Sequence, residues 1–201
     1  MRKFFVLILG LLLSAGRMTG DDSLILHLKL DEGTGTVAED SSGRGHNAEL
    51  INPQWEESGV RGKALRLNGR DAYVKLPKHK DFNMGDKFTF SIWFKAEEFK
   101  HGMSLFNRGN YQKGYQTYVF RSFVAFTSIP MKDNKNSSAL LYTRFAPGTR
   151  PAFPYTNLVI TGGPAKEAGK CAIRYYINGK PCMDGRTKQA DGLGQPVGIQ
   201  D

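Results

Sequence analysis

The sequence predicts an all-β fold in which two antiparallel sheets pack face to face as a jelly-roll sandwich. Apolar residues recur at every second position in many short segments, as in strands with one buried face. Glycine is abundant, with 23 in 201 residues, and lies between these segments, where tight turns need it. No segment longer than a turn or two has the period of a helix. These observations favour a sandwich over a helical or mixed fold.

The first predicted strand covers residues 24–30, where four leucines alternate with Ile25, His27 and Lys29. Two turn-rich segments follow, DEGTG at 31–35 and DSSGRG at 40–45. Glycine supplies the positive φ of tight turns, and Asp and Ser bond to the local backbone. We expect the rest of the chain to be organised around this region.

Further strands are predicted wherever the alternation returns. Residues 88–95 alternate most strongly, with four large apolar side chains on one face, so this strand should be central. Asn68-Gly69 and Asn178-Gly179 predict tight hairpin turns. The other predicted strands are 48–51, 64–67, 71–76, 103–106, 115–120, 123–129, 139–145, 157–161 and 171–177.

Residues 1–20 have the pattern of a secretory signal peptide. Arg2 and Lys3 precede an apolar run at 4–13, and small residues follow at 14–16. The apolar run is too short to span a bilayer. We therefore expect a secreted, periplasmic or cell-surface protein with a sandwich domain over residues 21–201. The leader resembles a bacterial signal peptide.

The formal net charge is +9, part of which belongs to the leader. A modest positive balance suits a soluble surface and is compatible with anionic glycans as partners. The basic residues are scattered, without a compact patch interleaved with aromatics. Nucleic acid is therefore not a predicted partner.

Several motifs together carry a family resemblance. They are DEGTG at 31–35, DSSGRGHNAEL at 40–50, KALRLNGRDAYVKL at 63–76, FTFSIWFKAEE at 88–98 and YYINGK at 175–180. In this order the chain resembles the laminin-G-like jelly-roll family of the concanavalin A-like lectin and glucanase superfamily. The resemblance runs from residue 24 to the end and implies a sandwich of two antiparallel sheets.

The resemblance also implies a closing strand that this sequence lacks. Family members continue with a strand that returns beside the first one, whereas here the chain ends at Asp201. We expect either a fragment of a longer protein or a partner that supplies the strand, since a bare apolar edge is a hazard for aggregation. We favour the fragment.

The spacing of the acidic residues argues against a glycan hydrolase. Glycosidases of this superfamily use two carboxylates that face one cleft, which on one strand requires even spacing. Acids here occur as adjacent pairs at 31–32, 39–40, 56–57 and 97–98, and no two acids outside such pairs are separated by a single residue. The four histidines lie in different predicted elements without a zinc spacing. The sequence therefore predicts no catalytic residues.

Two aspartates are candidate calcium ligands. Asp31 and Asp40 lie in loops where carboxylates and carbonyls can surround a hard cation. Both can equally cap turns through the backbone.

An aromatic and arginine set is the candidate carbohydrate site. It consists of Trp93, Arg108, Tyr111 and Tyr115, since aromatic faces and planar donors suit sugar rings and hydroxyls. The alternative is that Trp93 packs against another layer and the tyrosines cover a rim.

Cys171 and Cys182 form a possible disulfide, which export would favour. Against this, a tight turn at Asn178-Gly179 would put the cysteines roughly 13 Å apart at strand rise, beyond the reach of a bridge. Both alternatives stay open.

Three functional hypotheses follow from the sequence. The first is a non-catalytic module that binds carbohydrate or another extracellular ligand. The second is a structural or adhesive module with protein partners. The third and weakest is a hydrolase or lyase with an unrecognised site.

Overall fold

The chain is all-β, as predicted. The computed structural model describes residues 23–83, 87–96, 103–110, 113–120, 123–129, 139–144, 155–164, 170–181 and 193–194. Within these ranges the only helical element is one 3₁₀ turn at Lys80–Phe82. The strands are β1 Val37–Ala38, β2 Ala48–Ile51, β3 Gln54–Glu56, β4 Ala64–Arg66, β5 Tyr73–Lys75, β6 Phe88–Phe94, β7 Met103–Asn110, β8 Lys113–Val119, β9 Phe123–Ile129, β10 Ala139–Arg144, β11 Thr156–Pro164, β12 Lys170–Ile177, β13 Lys180–Pro181 and β14 Leu193–Gly194.

Two larger antiparallel sheets form a sandwich. One has the order β10-β9-β8-β7, and the other has the order β13-β12-β11-β6 with β14 paired to β12. Phe88 stacks on Phe126 at 5.7 Å between ring centroids, and Phe90 lies 5.1 Å from Phe106, so β6 faces β9 and β7 across the core. The buried residues of this core are Tyr115, Val119, Val124, Phe126, Leu158, Ile160, Ile173, Tyr175 and Ile177.

A second, smaller core lies among the first five strands. Here the sheet β1-β2-β5 and the pair β3-β4 surround Ala38, Ala48 and Leu50. Partly buried apolar side chains complete it, namely Leu28, Leu30, Trp55, Leu65, Val74 and Leu76. Tyr155 donates a hydrogen bond to the Ser58 carbonyl at 2.6 Å and so ties the start of β11 to this region.

The segment 24–30 differs from its prediction as a strand. Its backbone is held by a single antiparallel bridge between Leu28 and Asp40, by the hydrogen bond from Ser41 N to His27 O at 2.9 Å, and by hydrogen bonds with the side chains of Asp40, Ser42 and Arg44. Leu28 and Leu30 are partly buried against the smaller core, but a regular strand also needs a hydrogen-bonded ladder to a neighbour, and Leu30 has a φ of 56°. Among the described residues that ladder is limited to the one bridge, so the segment stays extended without becoming a strand.

The predicted hairpin at Asn68-Gly69 is wrong, whereas the one at Asn178-Gly179 is confirmed. Strand β4 pairs with β3 and β5 pairs with β2, so β4 and β5 do not pair with each other. The Asn68 side chain accepts hydrogen bonds from the backbone of residues 70, 71 and 72, which opens the turn into a wider loop. At the second site β12 pairs with β13 across a two-residue turn whose φ values are 49° and 75°, as a type I′ turn requires.

The predicted leader lies outside the described residues. Within the described part of the chain, no helix has the length and apolarity needed to cross a membrane.

Candidate functional site

One face of the β6-β11-β12 sheet is turned to solvent and carries an exposed tryptophan. We call it the outer face and define it by Thr89, Ser91, Trp93, Asn157 and Arg174, which lie on the opposite side from the core residues of the same strands. Trp93 is 54% exposed. A large apolar ring that stays this exposed on a regular strand is available for contact with a ligand.

Asn157 lies directly opposite Trp93 in the strand register. Its side-chain amide donates a hydrogen bond to Ser91 Oγ at 3.3 Å. Its backbone N–H donates to Asn178 Oδ1 at 2.8 Å. A fixed amide next to an exposed indole gives this part of the outer face both an apolar and a polar contact point.

Tyr115 and Arg108, which the sequence grouped with Trp93, lie elsewhere. Tyr115 is only 5% exposed, within the main core, and its hydroxyl donates to the Phe82 carbonyl. Burial raises the pKa of this phenol to about 12, with the charge of Arg108 acting in the opposite direction. A ring so buried offers no free face to a sugar, so Tyr115 acts as a core residue.

Arg108 lies opposite Tyr115 in the β7–β8 register. Its Nη2 donates to Asn83 Oδ1 at 2.9 Å, and its guanidinium carbon lies 5.9 Å from the centre of the Phe82 ring. The structure therefore brings Arg108 and Tyr115 together at the 3₁₀ turn, away from Trp93. Tyr111, the fourth predicted residue, lies outside the described residues.

A cluster of side chains that the sequence did not predict lies beside the 3₁₀ turn at Lys80–Phe82. His46, His79 and Asp81 each offer a ligand atom, and the three atoms lie within 4.8 Å of one another; we call them the histidine cluster. Asp81 Oδ2 is 3.0 Å from His46 Nε2, and Asp81 Oδ1 is 3.2 Å from His79 Nδ1. Because His46 and Asp81 are 35 residues apart, no local spacing could reveal the cluster, and only the fold brings its members together.

Asp81 is the electrostatic centre of this cluster. The hydrogen bond from His46 holds the pKa of Asp81 below its ordinary value, and burial opposes this effect. The nearby charges of His79 and Arg44 lower the pKa further. Arg44 Nη1 lies 3.3 Å from Asp81 Oδ2.

Asp40, one of the two predicted calcium ligands, is occupied by hydrogen-bond donors. Its Oδ1 accepts from His27 N at 3.0 Å and Ser42 N at 2.9 Å, and its Oδ2 accepts from Ser42 Oγ at 2.7 Å and His46 N at 2.9 Å. Burial raises the pKa of this carboxyl, but these hydrogen bonds outweigh burial and lower it to about 2. Asp40 thus caps the loop through backbone hydrogen bonds, which is the alternative to calcium binding that the sequence also predicted.

The other predicted ligand, Asp31, lies beside Gly62, with its Cβ 3.4 Å from the position that a side chain there would take. Calcium binding at Asp31 and Asp40 stays a prediction.

The disulfide also stays a prediction. Cys171 lies in β12, opposite Pro164 of β11 and Leu193 of β14. Cys182 lies outside the described residues.

Known structures share this fold at low sequence identity. The binding domain of Paraclostridial Mosquitocidal Protein 1 is 17% identical with a TM-score of 0.65, over 88% of this chain and 42% of that one. The binding domain of botulinum neurotoxin DC in complex with rat synaptotagmin II is 19% identical with a TM-score of 0.60, over 87% and 42%.

A third structure is of botulinum neurotoxin type C, whose cell entry depends on interaction with two ganglioside molecules. It is 17% identical with a TM-score of 0.56, over 90% of this chain and 44% of that one. No family model and no curated protein matches the chain.

This chain spans about two fifths of the length of the first two structures, 42% in each case. At such identities the likeness establishes the fold, a β-rich architecture also used by toxin binding domains. The narrower laminin-G-like assignment stays a prediction.

Proposed function

We propose that this chain is a non-catalytic, extracellular binding module that takes carbohydrate on the outer face around Trp93. The observation that carries the proposal is the 54% exposure of Trp93 on a regular strand of the sandwich. An indole face stacks on the C–H face of a sugar ring, and the Asn157 amide beside it suits sugar hydroxyls. The exposed Arg174, together with Lys95 beyond the end of β6, adds positive charge that suits an anionic glycan.

The structural neighbours support this class of function. Two of them are binding domains, and one toxin enters cells through interaction with two ganglioside molecules. The leader-like sequence at 1–20 supports export, and the laminin-G-like motifs support a lectin-like sandwich. A domain over residues 21–201 is part of the same proposal.

Several acidic residues within the described ranges have structural partners that support a non-catalytic role. Glu56 pairs with Arg66 and Glu57 pairs with Lys63, each at 3.0 Å. Glu32 Oε1 accepts from the Glu39 backbone at 2.8 Å. Adjacent acids engaged with separate partners do not form the facing pair that glycoside hydrolysis needs.

A protein partner is the second candidate. It is favoured by one observation, namely that the neurotoxin DC binding domain was captured in complex with rat synaptotagmin II. A sandwich of this type can therefore present a protein-binding surface, and the outer face would be the first place to look for it here.

The test is a glycan array and affinity electrophoresis with the purified protein and two matched variants. Trp93→Ala removes the exposed ring of the outer face, and Tyr73→Ala removes a ring on β5 that is 50% exposed. We expect Trp93→Ala to weaken glycan binding about tenfold or more, equivalent to about 1.4 kcal/mol, while Tyr73→Ala binds like the wild type. Both variants should keep the wild-type circular dichroism spectrum.

Equal binding by wild type and Trp93→Ala would overturn the outer-face proposal. The second candidate would be favoured instead if the wild type bound no glycan but bound a defined protein, and if Trp93→Ala no longer bound that protein.

A further inference from the structure

We propose that the histidine cluster binds a divalent transition metal ion, with zinc as the expected metal. The cluster combines two imidazoles and one carboxylate whose ligand atoms lie within 4.8 Å of one another. This site is separate from the outer face, so the proposal goes beyond carbohydrate binding and does not depend on it.

The distances within the cluster suit a small ion. Zinc bonds of about 2.0–2.1 Å in tetrahedral geometry place neighbouring ligand atoms about 3.3 Å apart. Asp81 lies at 3.0 Å from His46 Nε2 and at 3.2 Å from His79 Nδ1. The first distance ends on Asp81 Oδ2 and the second on Oδ1, so the carboxylate contacts both imidazoles, and an ion held by all three side chains would replace the hydrogen bond between His46 and Asp81.

The ligands are held in place before any ion binds. His46 is buried, its backbone N–H donates to Asp40 Oδ2 at 2.9 Å, and its ring lies 4.9 Å from Phe82. His79 precedes the 3₁₀ turn that contains Asp81, and its Nδ1 accepts the Asp81 N–H at 3.2 Å, a hydrogen bond that positions the ring and that an ion on Nδ1 would replace. The two imidazole rings are 4.6 Å apart between centroids. Prior positioning of this kind reduces the ordering that binding must impose.

The cluster also has an entrance. The His79 side chain is 43% exposed, whereas His46 is buried. An ion can therefore approach from the His79 side. With three protein ligands, a fourth position is left for water, as in open zinc sites.

The donor atoms select the class of metal. Imidazole nitrogen suits zinc, copper and nickel, whereas calcium requires six to eight oxygen ligands. Asp81 is the one carboxylate of the cluster. The site therefore differs in place and in chemistry from the predicted calcium site at Asp31 and Asp40.

Arg44 competes with the metal. Its Nη1 lies 3.3 Å from Asp81 Oδ2, and its Nε donates to the Leu24 carbonyl at 2.8 Å. The guanidinium places a positive charge next to the ligand carboxylate, which opposes a second cation. Removing this charge should therefore strengthen metal binding. If the cluster were only a structural ion-pair network, it would have no measurable affinity for metal, and removing Arg44 would not create one.

The experiment is a zinc titration of the untagged, metal-free protein by isothermal calorimetry at neutral pH. Wild type is compared with His79→Gln, Asp81→Asn and Arg44→Gln, and with His27→Gln as the control, since His27 is an exposed histidine outside the cluster. We expect one zinc per chain. His79→Gln and Asp81→Asn should weaken binding at least about tenfold, Arg44→Gln should strengthen it, and His27→Gln should bind like the wild type.

Two further readouts separate ligation from general stability. Zinc should raise the melting temperature of the wild type but not of Asp81→Asn, and Co²⁺ should give a tetrahedral d–d spectrum in the wild type but not in Asp81→Asn. Failure of the wild type to bind zinc, or wild-type affinity in His79→Gln and Asp81→Asn, would overturn the proposal. An equal loss in His27→Gln would overturn it as well.

Discussion

At the scale of single residues, Asp40 organises the first loop. Its two carboxylate oxygens accept four hydrogen bonds, from His27 N, Ser42 N, Ser42 Oγ and His46 N. The last of these places His46, so the capping aspartate also supports the histidine cluster. A side chain that appears in the sequence as one more turn residue thus links residues far apart in the chain.

Asp40→Ala should lower the free energy of unfolding by about 2–4 kcal/mol at neutral pH, since hydrogen bonds to a charged group are lost and their donors are left without this acceptor. Urea unfolding monitored by circular dichroism measures the change. Lys29→Ala, at an exposed position of segment 24–30, is a control that should change stability by less than about 0.5 kcal/mol.

The same carboxylate makes stability depend on pH. Folding lowers the pKa of Asp40 from 3.8 to about 2, because the hydrogen bonds outweigh burial. A lowered pKa means that the contribution is fully present above the unfolded value and is lost as the pH falls from about 4 to about 2. Asp40→Asn should remove this part of the acid loss in urea titrations. An unchanged acid loss in that variant would show that other carboxyl groups account for it.

At the scale of elements, β11 is the central strand of its sheet. It pairs with β6 on one side and β12 on the other. Leu158 and Ile160 on its inner side are fully buried, whereas Val159 between them lies on the outer side. Gly162, further along β11, leaves space for the Phe88 ring of β6, which a methyl group at that position would overlap.

Ile160→Ala should cost about 2–5 kcal/mol, because it leaves a cavity in the main core. Val159→Ala on the same strand is the matched control and should cost less than half as much. Equilibrium unfolding in guanidinium compares the two variants. Similar losses would mean that the two faces of β11 are buried alike.

Much at this scale could be predicted from the sequence, and some could not. The period-two pattern located most strands and the inward face of β6, because successive side chains of a strand point to opposite faces and only one face is buried. The partners of β4 and β5 were missed because Asn68 can form either a tight turn or, as here, a wider loop. The histidine cluster was missed because its residues meet only through tertiary packing. For Trp93 the alternation left two readings, a packed or an exposed ring, and the structure gives the exposed one.

At the scale of the whole molecule, stability is unevenly distributed. The main core joins two sheets through large side chains, whereas the segment 24–30 is tied by one bridge and by a few hydrogen bonds, most of them to side chains of the 40–44 loop. Regions with few backbone hydrogen bonds and few buried contacts open more easily than a central strand.

Hydrogen exchange should therefore distinguish these regions. We expect amides of 24–30, other than His27, to exchange orders of magnitude faster than those of β11 and β12, with β2 in between. Mass spectrometry of the native protein measures the difference peptide by peptide. Equal protection of 24–30 and β11 would contradict the uneven distribution.

The contrast between the two tryptophans has an optical consequence. The chain has two of them: Trp55 packs in the smaller core with its indole N–H donating to the Gly35 carbonyl, and Trp93 stands in water on the outer face. We therefore expect the fluorescence of Trp93 to be more red-shifted and more open to dissolved quenchers than that of the partly buried Trp55. The molecule thus has one intrinsic fluorophore on the surface where we propose that the ligand binds and a second one in the smaller core.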